Sequence, residues 1–161
     1  MNLPLGARLW IADAPKDPKG MILICPGGGY QWLSPREAQP VAHAFTAAGW
    51  AAAVVYYTIR EKPGQPPLGT LPVRQLGEAL QTMQQRFPAL SALVCGFSAG
   101  GHLAASLGVH WRELGLPLSL IHIYITVEGH AQIIDCYSKV RKVFIPSRLQ
   151  SCIAGAQPVK E

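Results

Sequence analysis

Apolar residues along this chain follow two rhythms. Met21–Cys25, Trp50–Ile59 and Ala92–Cys95 are runs without polar alternation, the pattern of strands covered on both faces. Between them, Ala38, Val41, Ala42 and Phe45 recur at helical spacing, as do Val73, Leu76, Leu80, Met83 and Phe87, which predicts two helices with one buried face each. After Cys95 the small residues Gly100, Gly101, Ala104, Ala105 and Gly108, with Leu103 and Leu107 one turn apart, predict a third helix able to pack very close to a sheet. Turn chemistry separates these elements. The run Ala7–Ala12 precedes a Pro-, Asp- and Gly-rich turn over 13–20 and is expected to open the fold as an edge hairpin. Ser34-Pro35-Arg36-Glu37 has capping-box spacing, which predicts a helix starting there, with Pro40 implying a kink or a later start and Gly49 a stop. Glu61–Gly69 must be a loop, Thr70-Leu71-Pro72 begins the next helix, and Pro88 ends it. Strand and helix alternate, so the fold class is α/β with a mostly parallel sheet, helices on both faces and three layers.

One junction in this pattern carries chemistry. The last buried run stops at Gly96-Phe97-Ser98-Ala99-Gly100 and resumes as a helix. That is the G-x-S-x-G spacing of a nucleophile elbow, a strained turn with no room for a Cβ two residues either side of the serine. Ser98 is the candidate nucleophile. The free amides at the start of the following helix, beginning with Ala99, would stabilise negative charge developing beside it. An earlier strand end runs into Pro26-Gly27-Gly28-Gly29-Tyr30, where glycine lets the main chain approach an acyl oxygen and point an amide of Gly28 or Gly29 at it. Neither glycine cluster completes a dinucleotide-binding or P-loop pattern.

Composition narrows the field. The 161 residues suffice for one domain with a core, and 49% are hydrophobic against 14% charged, which excludes a disordered chain. The net charge of +5 is diffuse; with no basic run or nucleic-acid motif, and no apolar stretch of membrane-spanning length, neither nucleic acid nor membrane is expected as a partner. Residues 1–8 contain Pro4 and no apolar core of a secretory signal, so the expected location is cytoplasmic. Cys25, Cys95, Cys136 and Cys152 have no metal-ligand spacing and are expected to be free thiols, with no metal site.

The loop at 26–30, the S-P-R-E at 34–37 and the run Gly96-Phe97-Ser98-Ala99-Gly100-Gly101-His102-Leu103-Ala104 together resemble the α/β-hydrolase family, more narrowly its small bacterial acetyl-esterases and carbohydrate-esterases. The resemblance covers Ala7 to about Arg112. It implies a partial α/β-hydrolase fold in which Ser98 is acylated, Ala99 with Gly28 or Gly29 forms the oxyanion hole, and Tyr30 lines the acyl pocket. It further implies hydrolysis of a small-molecule ester with a short acyl group, such as acetyl on plant-derived oligosaccharides, through an acyl-serine intermediate and without metal or cofactor. A serine peptidase or thioesterase would use the same elbow, and a non-catalytic binding module could retain the same pocket.

The triad order Ser, acid, His is not completed in the family's layout. Asp135 has no histidine after it, and Glu128 with His130, or Glu113 with His122 or His130, follows the elbow too soon. His102 is expected to make a structural hydrogen bond, and His43 and His110 to lie on helix surfaces or ends. Beyond residue 117 composition shifts: 7 of the 11 isoleucines fall within 118–161. Leu118-Ser119-Leu120-Ile121-His122-Ile123 also resembles the translated read-through of a transposase adaptor used in sequencing libraries. The expected organisation is therefore a hydrolase portion over 1–117, truncated or chimeric after that point, and a non-native tail over 118–161; the alternative for 119–127 is the next strand of the sheet.

Overall fold

The computed structural model describes residues 1–116 and, beyond them, the backbone of three strands. The elements are β1 (Arg8–Ile11), β2 (Met21–Cys25), α1 (Gln39–Ala47), β3 (Ala51–Tyr56), α2 (Leu71–Arg86), β4 (Ala92–Phe97), α3 (Ala99–His110), β5 (Ile121–Val127), β6 (His130–Ile134) and β7 (Val140–Arg141). They form one sheet in the order β1-β3-β2-β4-β5-β6-β7. Strands β3, β2, β4 and β5 run parallel, while β1, β6 and β7 pair antiparallel.

Successive residues of a strand face opposite sides, and both sides here are apolar. Leu23, Ala53, Val55 and Val94 meet Leu76, Leu80 and Met83 of α2 and Leu103 and Leu107 of α3 on one face. Ile22, Ile24, Ala52, Val54 and Phe97 meet Val41, Ala42 and Phe45 of α1 on the other. The result is the expected three-layer α/β arrangement, and β2 is buried at every position.

Two local expectations are corrected. The opening run forms an edge strand but no hairpin with β2, because β3 lies between them and Ala53 pairs with Ile11 on one side and Leu23 on the other. The connection over 13–20 holds Pro15 and Pro18, which cannot donate to a ladder, and it steps across the sheet instead of closing a tight turn. The capping box does not form either: Ser34 makes no side-chain cap bond, Pro35–Glu37 is a single 3₁₀ turn, and α1 starts at Gln39. Pro40 sits in the first turn of α1, where its missing N–H costs nothing. Gly49, at φ +88°, takes the left-handed conformation after the helix end.

Residues 117–120, 128–129, 135–139 and 142–161 lie outside the described residues, and so does most of the segment expected to be a tail. Within it, β5 over 121–127 pairs in parallel with β4, Cys95 opposite Tyr124.

Cys25 and Cys95 are buried free thiols, as expected; Cys136 and Cys152 fall outside the described residues. Burial, and then the charge of Glu37, pushes the Cys95 thiol from an ordinary 9.0 up to about 12. Burial raises Cys25 as well, with Cys95 adding to it. The folded chain therefore keeps protons that the unfolded chain releases, so stability is intact below about pH 9 and falls as pH rises toward about 12. Thermal melts from about pH 8 to about pH 11 are expected to decline, and Cys95→Ala to decline less steeply. Parallel pH profiles for the two proteins would contradict this origin.

Candidate active site

Strand β4 ends at the buried Phe97, and α3 begins at the buried Ala99. The residue between them, Ser98, is exposed and held at φ +49°, ψ −114°. A non-glycine residue in that region costs on the order of 1–3 kcal/mol and persists only where its surroundings impose it. Here they do. A Cβ on Gly96 would strike the Gly100 carbonyl, so only glycine lets α3 fold back over its own strand. A Cβ on Gly100 would strike the Cys25 carbonyl, so only glycine lets the helix start rest on the end of β2. The first helical bond runs from the His102 amide to the Ser98 carbonyl at 3.0 Å, leaving the Ala99 amide in the unpaired first turn beside the serine.

The glycine loop leaves β2 one strand away, with Cys25 in register with Gly96. Gly28 at φ +133°, Gly29 at φ +62° and Tyr30 at φ +59° hold three consecutive left-handed conformations. The loop's carbonyls are engaged: Gly28 accepts from the Gln31 and Trp32 amides at 3.0 and 3.2 Å, and Gly27 from Ser34 at 2.9 Å. The amides of Gly28 and Gly29 donate to no acceptor among the described residues. Glu37, expected to close a capping box, instead accepts the Gly27 amide at 2.8 Å. That carboxylate holds the base of the loop, because a helix starting only at Gln39 leaves it no cap to complete.

A second brace comes from the segment after β3. The Tyr57 hydroxyl donates to the Pro26 carbonyl, and the Arg60 amide donates to the Tyr30 carbonyl at 2.7 Å. Thr58 between them is fixed by Gln75, a fully buried amide on α2. Gln75 Oε1 accepts the Thr58 amide at 2.8 Å, and its Nε2 donates to Thr58 Oγ1 at 2.7 Å and to the Leu5 carbonyl at 2.8 Å. Sequence reasoning passed over Gln75 because a polar residue between Val73 and Leu76 does not disturb the apolar spacing. Only its place on the core face of that helical stripe marked it.

Tyr30 is half-buried, its ring edge-on to Tyr57 and to His102 at centroid distances of 5.7 and 5.9 Å. Its hydroxyl and His102 Nδ1 are hydrogen-bonded at 2.9 Å, which gives His102 the structural bond expected of it. Burial, and then Cys25, pushes the Tyr30 phenol up to about 12, so it keeps its proton at neutral pH.

Ser98, Ala99, Gly28, Gly29 and Tyr30 thus gather at the carboxyl ends of two neighbouring parallel strands, the position where open α/β sheets bind ligands. The acid and base are not brought there by the described residues. His43 is exposed on α1 with its ring edge-on to Trp10 at 5.4 Å. Glu113 pairs with His110 at 3.0 Å past the far end of α3. Glu128, Asp135 and the side chains of His122 and His130 lie outside the described residues. Among the described residues, no cluster of three or more His, Cys, Asp or Glu side chains could hold a metal ion, and no helix is long and apolar enough to cross a membrane.

A serine on a strained strand-to-helix turn, at the end of a central strand of a mostly parallel sheet, is the arrangement of the nucleophile elbow in the α/β-hydrolase fold. The chain has part of the α/β-hydrolase fold, and its structural neighbours are esterases and related hydrolases. It is 35% identical to an α/β-hydrolase enzyme from a Medee basin deep-sea metagenome library, with a TM-score of 0.53 over 64% of this chain and 46% of that one. It is 27% identical to an acetyl ester-xyloside bifunctional hydrolase from Caldicellulosiruptor lactoaceticus, with a TM-score of 0.53 over 66% of this chain and 40% of that one. Carboxylesterases of Lactobacillus plantarum recur among the further structures. Among curated proteins it is 29% identical over 98 residues to endo-1,4-beta-xylanase B of Butyrivibrio fibrisolvens, covering 58% of this chain and 15% of that protein. The chain spans about half the length, or less, of these solved structures, and a far smaller share of the xylanase. No family model matches it.

Gly100→Ala is expected to cost more than about 3 kcal/mol, because its methyl group meets backbone that cannot move aside. Gly29→Ala meets open space and is expected to cost only about 1 kcal/mol, for its left-handed backbone. Urea unfolding compares the two, and equal losses would rule out the close-approach account. Gln75→Leu is expected to cost about 2–4 kcal/mol by the same measurement, since it orphans the Thr58 amide and the Leu5 carbonyl. A loss under about 0.5 kcal/mol would mean that those groups find other partners.

Proposed function

We propose that this chain is the nucleophile-bearing portion of a serine esterase that removes short acyl groups, acetyl above all, from esters of carbohydrates. One observation carries the reading: an exposed serine in a strained turn at the end of β4 neighbours a loop, leaving the adjacent β2, whose two glycine amides have no partner among the described residues. The names of similar proteins support the substrate class, since an acetyl ester-xyloside hydrolase and a xylanase are among them.

In this reading the ester carbonyl sits between Ser98 and the loop, its oxygen directed at the amides of Ala99 and of Gly28 or Gly29. Ser98 Oγ bonds to the acyl carbon and the carbonyl π pair moves onto oxygen, where the amides stabilise it by several kcal/mol more than in the ground state. As the carbonyl re-forms, the carbon–alkoxy bond breaks and the alcohol leaves with the serine's proton. Water then repeats the addition and releases the carboxylic acid and free serine. The proton carrier must be a histidine oriented by an acid. Among the described residues, His102 Nδ1 is bonded to the Tyr30 hydroxyl and not to an acid, and His110, bonded to Glu113, ends α3 while Ser98 precedes its start. Tyr30, beside the loop, borders the space for the acyl group.

The test is hydrolysis of a chromogenic acetyl ester by this chain and by Ser98→Ala. Turnover by the parent, with a loss of at least about a thousandfold in the variant, is the expected result for a nucleophile. Equal rates would remove Ser98 from the chemistry. A folded parent with no turnover would withdraw the activity from this chain. Thioester and peptide substrates run alongside separate the esterase from its two enzymatic relatives.

A further inference from the structure

A cavity of about 680 Å³ opens beside the Tyr30–His102 pair, with Gly29 of the glycine loop also in its wall. Tyr30 and His102 form part of its wall, while Ser98 does not. Both are close to the serine along the chain fold: Tyr30 directly follows Gly29, and His102 is one turn into α3, where side chains lean back toward the helix start. Further wall comes from the loop after β3, the start of α2 and α3, including Arg60, Lys62, Leu68, Val73 and Ser106.

Resting on the esterase reading above, we infer that this cavity is the subsite for the alcohol side of the ester and that it takes one or two sugar rings. Size argues first, since the volume lies in the range of small-molecule sites and far exceeds what an acetyl group occupies. The character of the wall argues second. Arg60, Lys62, Ser106 and His102 offer hydrogen-bonding groups, while Leu68 and neighbouring prolines offer apolar surface. A sugar ring, with hydroxyls around its edge and C–H bonds on its faces, needs both. Position argues third, because the cavity wall includes Gly29 and Tyr30 of the loop that leaves β2 beside the end of β4, and His102, one turn into the helix that Ser98 precedes. Arg60 and Lys62 set a positive rim that Glu61 offsets only in part, so a neutral or an acidic sugar is accepted and a cationic one is not.

Another sugar platform competes on the same loop. Trp32 is 55% exposed, and an exposed indole can stack on a sugar face. Calorimetric titration with xylobiose, a probe that cannot be deacylated, separates the two. The parent and Ser98→Ala are expected to bind it alike with a Kd of about 1 mM, as Trp32→Ala does. Arg60→Ala is expected to weaken binding about tenfold, the worth of one charged hydrogen bond. Ser106→Phe, which fills the cavity from α3 and removes only a bond to that helix's own His102 carbonyl, is expected to abolish it. Arg60 is exposed and its backbone bond survives substitution, so that variant serves even if Ser106→Phe does not fold. Absence of saturable binding to the parent, or loss in Trp32→Ala with retention in Arg60→Ala, would overturn the assignment. Turnover of the chromogenic ester without xylobiose binding would sink the cavity and spare the esterase; xylobiose binding without turnover would do the reverse.

Discussion

Everything at the candidate site depends on main chain touching main chain. Gly96, Gly100 and the carbonyl of Cys25 lie so close that no side-chain atom fits between them. This contact lets α3 begin on top of β2 and β4 rather than beside them. The geometry of Ser98 follows from it, since a chain that must turn from strand to helix in one residue has few conformations left. The serine is strained because its neighbours are close-packed backbone, and backbone cannot relax by changing rotamer.

The loop opposite is held by different means. Gly27 is tied to Glu37 by a charged hydrogen bond, and Tyr30 is tied at its carbonyl to Arg60 and at its hydroxyl to His102. Behind Arg60 stands Thr58, and behind Thr58 the buried amide of Gln75. The loop therefore hangs from three different elements, while its two glycine amides have no partner among the described residues. That combination is what electrostatic preorganisation requires: donors whose direction is fixed and whose hydrogen bonds are unspent.

The sheet and helices were legible because both faces of the sheet are covered. Met21–Cys25 has to be apolar at every position, and Val73, Leu76, Leu80 and Met83 have to fall on one stripe. Ser98, Gly28 and Gly29 were legible because the elbow and the loop each require glycine at fixed places. Less visible were features set by tertiary contact. Ser34 and Glu37 have the spacing of a cap, but Glu37 finds a stronger partner in the Gly27 amide, which no local pattern reveals. The opening strand pairs with β3 rather than β2, because pairing in a sheet is decided by what is inserted later in the chain. The left-handed backbone of Tyr30 is likewise imposed from outside, by Arg60 and His102, on a residue that does not prefer it.

The contact between Gly100 and Cys25 also has a consequence in time. It joins two parts of the chain separated by α1, β3, α2 and β4, and the parallel pairing of β2 with β4 that frames it is nearly as remote in sequence. Contacts of that span close late, because the entropy of the intervening loop must be overcome before they repay it. Until β2 is in place nothing forces Ser98 out of an ordinary turn. The strained conformation of Ser98 is thus among the last features that folding creates, and a chain caught before that step would hold its helices with the serine in an ordinary turn.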